Sequence, residues 1–143
     1  MTGPVLIIED DPDIAEALRY GFENNDFKTR VALTGEEGLS ASLDKQNPPA
    51  VILLDLLLPG MNGFELCRRL RNEALTRTTP IVIVSAKASE QDKAIGFQLG
   101  IDDYIVKPFS IREVVARISS LLGDEGNLHA KSLQSRRAFS GEL

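Results

Sequence analysis

One carboxylate interrupts the apolar run Val51–Leu58: Asp55, with Leu54 before it and Leu56 after it. A charge in such a segment is costly unless something compensates it. A second acidic group, Glu9-Asp10-Asp11, follows another apolar run, Val5–Ile8. Two carboxylates about 5 Å apart repel by roughly 3 kcal/mol at an effective dielectric of 20, and a dication relieves that repulsion. Oxygen ligands without His or Cys suit Mg2+ or Mn2+, hard ions that share their waters with phosphate oxygens. Lys107 and Ser85 each end a further apolar run. They offer an ammonium and a hydroxyl to phosphoryl oxygens. Asp55 is then a carboxylate nucleophile able to carry a phosphoryl group. Taken singly, Asp55 also fits a strand-end turn, and Asp11 an ordinary helix cap.

Positioning these groups requires strands that end at one edge. Short Val/Ile/Leu runs alternate with helical patterns five times, the pattern of a parallel sheet covered on both faces. Strands are expected at Val5–Ile8, Phe27–Ala32, Ala50–Leu54, Pro80–Val84 and Tyr104–Val106. Helix starts are marked by Asp11 before Pro12, by Thr34 with Glu37, by Ser89 with Asp92 and by Ser110 with Glu113. The second helix is expected to end before Asn47, and the segment Leu58–Gly63 reads as a turn leading into a helix over Phe64–Arg71. Gly100 stops a helix spanning Glu90–Leu99, and Ile111, Val114, Val115, Ile118 and Leu122 share one apolar stripe on the last helix. In such sheets functional groups gather at the carboxyl ends of the strands.

The chain has 143 residues, 43% hydrophobic and 26% charged, the size and make-up of one globular domain. Lys plus Arg number 16 against 21 Asp plus Glu, a net charge of -5, so no basic field is available for nucleic acid or an anionic bilayer. DNA contact is expected only through an effector domain outside this chain. With no bilayer-length apolar run and no signal-peptide pattern, the chain reads as cytoplasmic. The single cysteine, Cys67, excludes an internal disulfide and reads as a small buried apolar residue.

Four blocks carry a resemblance over about residues 4–123. They are Val5–Asp11, Leu53–Gly63, Pro80–Ala86 and Gly100–Phe109. In this order and spacing the chain resembles the receiver domain of two-component response regulators, most closely the OmpR/PhoB-like winged-helix class. The resemblance implies a flavodoxin-like (βα)5 three-layer α/β sandwich with strand order 2-1-3-4-5, and a receiver domain over residues 1–123. It implies Asp55 as phosphoacceptor and Mg2+ held by Asp10, Asp55 and the backbone carbonyl of Leu57, with Glu9 acting mainly through water. Lys107 matches the phosphate-sensing lysine, before a cis bond to Pro108. Ser85 and Tyr104 match the switch pair, Ser85 standing where threonine is common. Ile101 replaces a frequent alanine.

The same resemblance implies a regulatory domain, phosphorylated by a sensor histidine kinase or a phosphotransfer protein and not a turnover enzyme. The chain's switching face is its fourth helix, fifth strand and fifth helix, which controls dimerisation or an output domain, with transcription as the regulated process. Lys93 with Glu113 and Asp103 with Arg117 are the candidate pairs across the two-fold axis of a phosphorylation-dependent homodimer. Leu57 and Lys87 occupy positions that tune phosphoryl lifetime in the family. An apolar Leu57 cannot orient an attacking water, so self-dephosphorylation is expected to be slow. Phosphatases with a nucleophilic aspartate need a second aspartate at the place Leu57 fills. Residues 124–143, with His129 and Arg136-Arg137, read as a linker or tail, or as the start of a truncated effector domain.

Overall fold

Apolar residues at every position of a short run bury both faces of a strand, and three of the five runs here, Val5–Ile8, Val51–Leu54 and Ile81–Val84, do so. The computed structural model describes residues 3–123. Its parallel sheet comprises β1 (Val5–Ile8), β2 (Thr29–Ala32), β3 (Val51–Leu54), β4 (Ile81–Ser85) and β5 (Asp103–Val106). The spatial order is β2-β1-β3-β4-β5, as expected. The helices are α1 (Pro12–Glu23), α2 (Gly35–Ser42), α3 (Gly63–Asn72), α4 (Glu90–Gln98) and α5 (Ile111–Leu121).

Alternation along the strands sorts the core into two layers. Leu6, Ile8, Ile52, Leu54, Ile81 and Ile83 face Ala41 of α2 and Leu66, Cys67 and Leu70 of α3. Val5, Ile7, Val51, Leu53, Val82, Val84 and Ile105 face Ala15, Leu18 and Phe22 of α1 and Val114, Val115 and Ile118 of α5. Truncating one of these, such as Leu54→Ala, removes contacts on every side and costs about 3 kcal/mol. Cys67 is fully buried, and burial pushes its thiol up to about 12, so it is chemically quiet as the sequence suggests.

The caps fall at the expected residues. Asp11 accepts from the backbone N–H groups of Asp13 and Ile14, Thr34 from Glu37, Ser89 from Asp92 and Ser110 from Glu113. Gly100, at φ +92°, closes α4. Boundaries differ in a few places, each with a local reason. Phe27 does not open β2; its N–H bonds to the carbonyl of Phe22, and the two rings meet edge to face at 5.5 Å. The second helix ends before Asn47 as expected, at Ser42, where Asp44–Asn47 form a turn of their own, with Asp44 accepting from the N–H of Gln46. Pro80 lacks an N–H and precedes β4, its carbonyl accepting from Ile52. The turn after Asp55 also contains an unanticipated antiparallel ribbon, Leu57–Leu58 paired with Met61–Asn62.

Arg71 ties the opposite end of the sheet together. Its guanidinium donates to the carbonyls of Thr76 at 3.1 Å, Thr79 at 2.7 Å and Gly100 at 2.8 Å. Asp102 beside it accepts from the N–H of Ile81 at 2.9 Å, which fixes where β4 and β5 begin. Among the described residues no helix is long and apolar enough to cross a membrane. The linker or tail reading of residues 124–143 lies outside the described residues.

Candidate functional site

The residues singled out for phosphoryl and metal chemistry sit at strand ends: Ser85 is the last residue of β4, Glu9, Asp55 and Lys107 follow β1, β3 and β5 by one position, and Asp10 follows β1 by two. β1, β3 and β4 stand side by side, and register pairs Ile8 with Leu54 and Leu54 with Ile83. Glu9 and Asp55 therefore emerge together just beyond the sheet, with the Asp55 N–H bonded to the carbonyl of Ile8 at 3.0 Å. Glu9 and Asp55 are 3% and 4% exposed, so their charges are largely removed from water.

Compensation comes from three directions. The Lys107 ammonium lies 2.7 Å from one Asp55 oxygen and 2.8 Å from one Glu9 oxygen. The other Asp55 oxygen accepts from the Leu57 N–H at 3.0 Å, and the other Glu9 oxygen from the Asp11 N–H at 3.0 Å. The direct Lys107–Glu9 pair was not visible in the sequence, which assigned the lysine to a phosphoryl oxygen and Glu9 to water. The Lys107 backbone is positioned by the bond of its N–H to the carbonyl of Ser85 at 2.9 Å; the following peptide bond to Pro108 is cis, as the family resemblance implied.

Burial, with the nearby Asp55 charge adding to it, raises the Glu9 carboxyl above its ordinary value; the bonds from Lys107 and the Asp11 N–H pull the other way. For Lys107 burial lowers the ammonium, but hydrogen bonds to Asp55 and Glu9 outweigh it and hold the group above 10.5. One oxygen each from Glu9, Asp10 and Asp55 lie within 4.8 Å of one another. This all-carboxylate set, without thiolate or imidazole, matches the donors a hard divalent ion takes. Asp55 offers a carboxylate at the mouth of the site, flanked by an ammonium and by acids that can carry a dication.

Ser85 is fully buried, and its Oγ accepts from the Lys87 N–H at 3.3 Å. Tyr104 is 7% exposed, and its hydroxyl donates to the Lys87 carbonyl at 2.6 Å. The residues expected to form a switch thus hold the two backbone polar groups of one residue, Lys87: its N–H and its carbonyl. Burial, followed by the charges of Asp92 and Asp55, raises the Tyr104 phenol. Leu57, whose N–H serves Asp55, leaves its own side chain 54% exposed. With Leu56, Leu58, Met61, Asn62, Phe64 and Lys87 it lines an open cavity of about 330 Å3 beside the acids. The ribbon pairing brings Leu57, Leu58, Met61 and Asn62 together, and Lys87 joins them from the loop after β4, so no linear motif announced the cavity.

The four residues expected on a dimer face lie on α4, β5 and α5, and each has an ion-pair partner within the chain. Arg117 pairs with Asp103 at 3.1 Å and with Glu113 at 3.1 Å. Lys93 pairs with Glu90 at 3.6 Å. Helical spacing explains two of these pairs, since Glu113 precedes Arg117 by one turn and Glu90 precedes Lys93 by three residues, whereas the Arg117–Asp103 pair joins α5 to β5.

A family model described as the response regulator receiver domain matches residues 5–119. The response regulator ArlR of Staphylococcus saprophyticus is 42% identical over 118 residues, 82% of this chain and 51% of that protein. A Picosynechococcus protein named "Probable transcriptional regulatory protein" is 36% identical over 140 residues, covering 94% of this chain and 55% of its own length. The receiver domain of the Francisella response regulator 1452 superimposes with a TM-score of 0.76 at 37% identity, covering 84% of this chain and 96% of that one. The chain spans about half the length of the curated relatives it matches.

Proposed function

The chain belongs to the response regulator receiver domain family, and on that premise we propose that Asp55 is its phosphoacceptor. The observation that carries the reading is the Asp55 carboxylate held 2.7 Å from Lys107 beside two further acids. A donor phosphohistidine, on a sensor kinase or a phosphotransfer protein, brings its phosphorus to a free lone pair of the Asp55 carboxylate. The P–O bond forms as the P–N bond breaks, and the imidazole leaves with the bonding electron pair and is neutralised by a proton.

Each neighbour then has a task. Lys107 exchanges its bond to the Asp55 carboxylate for one to a phosphoryl oxygen, keeping its charge opposite the added negative charge. Ser85 turns its hydroxyl from the Lys87 N–H toward the phosphoryl group. Glu9, Asp10, Asp55 and the backbone carbonyl of Leu57 would hold Mg2+, or Mn2+, which when bound supplies positive charge to the phosphoryl oxygens. Leu57 contributes no polar side-chain group, so nothing on it steers water to the acyl phosphate and the modified state persists.

Tyr104 and Ser85 are the two sides of a switch joined through Lys87. Their movement alters the face formed by α4, β5 and α5, where Lys93, Asp103, Glu113 and Arg117 exchange in-chain partners for those of a second copy. The domain is regulatory, and its output is transcription control through an effector domain outside this chain. Incubation with Mg2+ and a small phosphodonor tests the reading: wild type gains one phosphoryl mass, and Asp55→Ala gains none.

A further inference from the structure

Helix α4 is attached to the sheet unlike the others. α1, α2, α3 and α5 each bury three or four residues, whereas α4 buries only Gly96. Its sequence, Glu90-Gln91-Asp92-Lys93-Ala94-Ile95-Gly96-Phe97-Gln98, has no continuous apolar stripe, and Phe97 is 51% exposed. The helix therefore meets the core through a position without a side chain. A Cβ built at Gly96 would stand 2.8 Å from Ile101 Cδ1, 3.4 Å from Ile83 Cδ1 and 3.5 Å from Tyr104 Cδ2. Of these only the approach to Ile101 is clearly tighter than ordinary packing; the Tyr104 ring, whose hydroxyl holds the Lys87 carbonyl in the loop that leads into α4, lies within ordinary contact range of the same position.

From this we infer that Gly96 is a positioning residue for the switch: its missing side chain lets α4 close over the buried Tyr104, so helix position and ring position change together. With a methyl group at 96, the 2.8 Å approach to Ile101 Cδ1 is relieved by lifting α4, and the arrangement with the ring buried under the helix loses ground to one with α4 displaced and the ring turned out. Alanine is the better helix former by about 1 kcal/mol. A loss of switching in Gly96→Ala thus does not arise from a weakened helix. Ile101→Val removes the Cδ1 atom that the new methyl approaches most closely and leaves the contacts at 3.4 and 3.5 Å, separations that core atoms tolerate with small adjustments. The inference rests on the reading of Asp55 as phosphoacceptor and of the buried ring as the signalling arrangement.

The test uses the full chain with fluorotyrosine at its two tyrosines, Tyr20, 65% exposed, serving as the internal solvent reference. Fluorine spectra and beryllofluoride titrations with Mg2+ are recorded for wild type, Gly96→Ala, Gly96→Ala/Ile101→Val and Asp55→Ala. Gly96→Ala is expected to move the Tyr104 resonance toward the Tyr20 position and to weaken beryllofluoride binding about tenfold, with the double variant restoring both. Equal ring position and equal affinity in wild type and Gly96→Ala overturn the role of Gly96. Absence of Asp55-dependent beryllofluoride binding in wild type overturns the phosphoacceptor reading on which it rests.

Discussion

The Lys107 ammonium lies 2.7 Å from an Asp55 oxygen, spanning β4 to join the ends of β3 and β5. The same ammonium also meets Glu9 on the far side, at 2.8 Å. One cation therefore serves two buried acids while Asp10 stands close by without an ion pair of its own among the described residues. Such a site is short of positive charge and gains from any cation or from removal of one acid.

The pH dependence of stability follows from that shortage. Glu9 binds its proton more tightly in the folded chain than its ordinary value of 4.5 because it is buried. Its contribution to stability is complete below pH 4.5 and declines as pH rises through the folded value. Without metal at pH 7, Glu9→Gln is therefore expected to have a higher urea midpoint than wild type, with the difference shrinking toward pH 4. A lower midpoint at pH 7 contradicts the sign. Lys107 is raised above 10.5, so its share is complete below that pH and disappears as pH climbs through the folded value. Mg2+ is expected to stabilise wild type and to have little effect on Asp10→Asn, by linkage to the folded state.

The lifetime of the modified state turns on residue 57. Leu57 is 54% exposed beside Asp55 and carries no hydrogen-bonding side-chain group. Leu57→Asn supplies an amide that can hold a water near the phosphorus, and the decay of the phosphorylated protein is expected to accelerate about tenfold. The assay is loss of phosphoryl mass with time after donor removal, and unchanged decay would exclude that mechanism.

Dimerisation tests the surface pairs. Arg117 is already engaged with Asp103 and Glu113 in its own chain, so trans pairing replaces existing bonds and adds little beyond them. Glu113→Lys places two cations one helical turn apart and leaves no acid to meet Lys93 of a second copy. Beryllofluoride-treated dimers of this variant are expected to dissociate about tenfold more readily in sedimentation experiments. Intact dimers would remove Glu113 from the interface.

Much of this architecture was legible because its signals are local. Apolar runs, caps such as Ser110 and stops such as Gly100 specify elements without reference to the rest of the chain. The acidic residues were legible because a charge in an apolar run is costly, which directs attention to Asp55. What pairs with what was less accessible. The Lys107–Glu9 bond joins residues 98 positions apart, and only the side-by-side packing of strand ends creates it. The ribbon at Leu57–Asn62 lay in a segment rich in turn formers, where two-residue pairing leaves no periodicity to read. The Arg117 pairs depend on how α5 lies against β5, and the same side chains suit a neighbour in the chain or in a second copy.

Mass measurement after exposure to a small phosphodonor and Mg2+, with peptide mapping to locate the added group, decides whether Asp55 is the phosphoacceptor. One phosphoryl group on the peptide containing Asp55, absent in Asp55→Ala, is the predicted result. A wild-type chain that takes up no phosphoryl group, or carries it on a peptide without Asp55, would contradict the account.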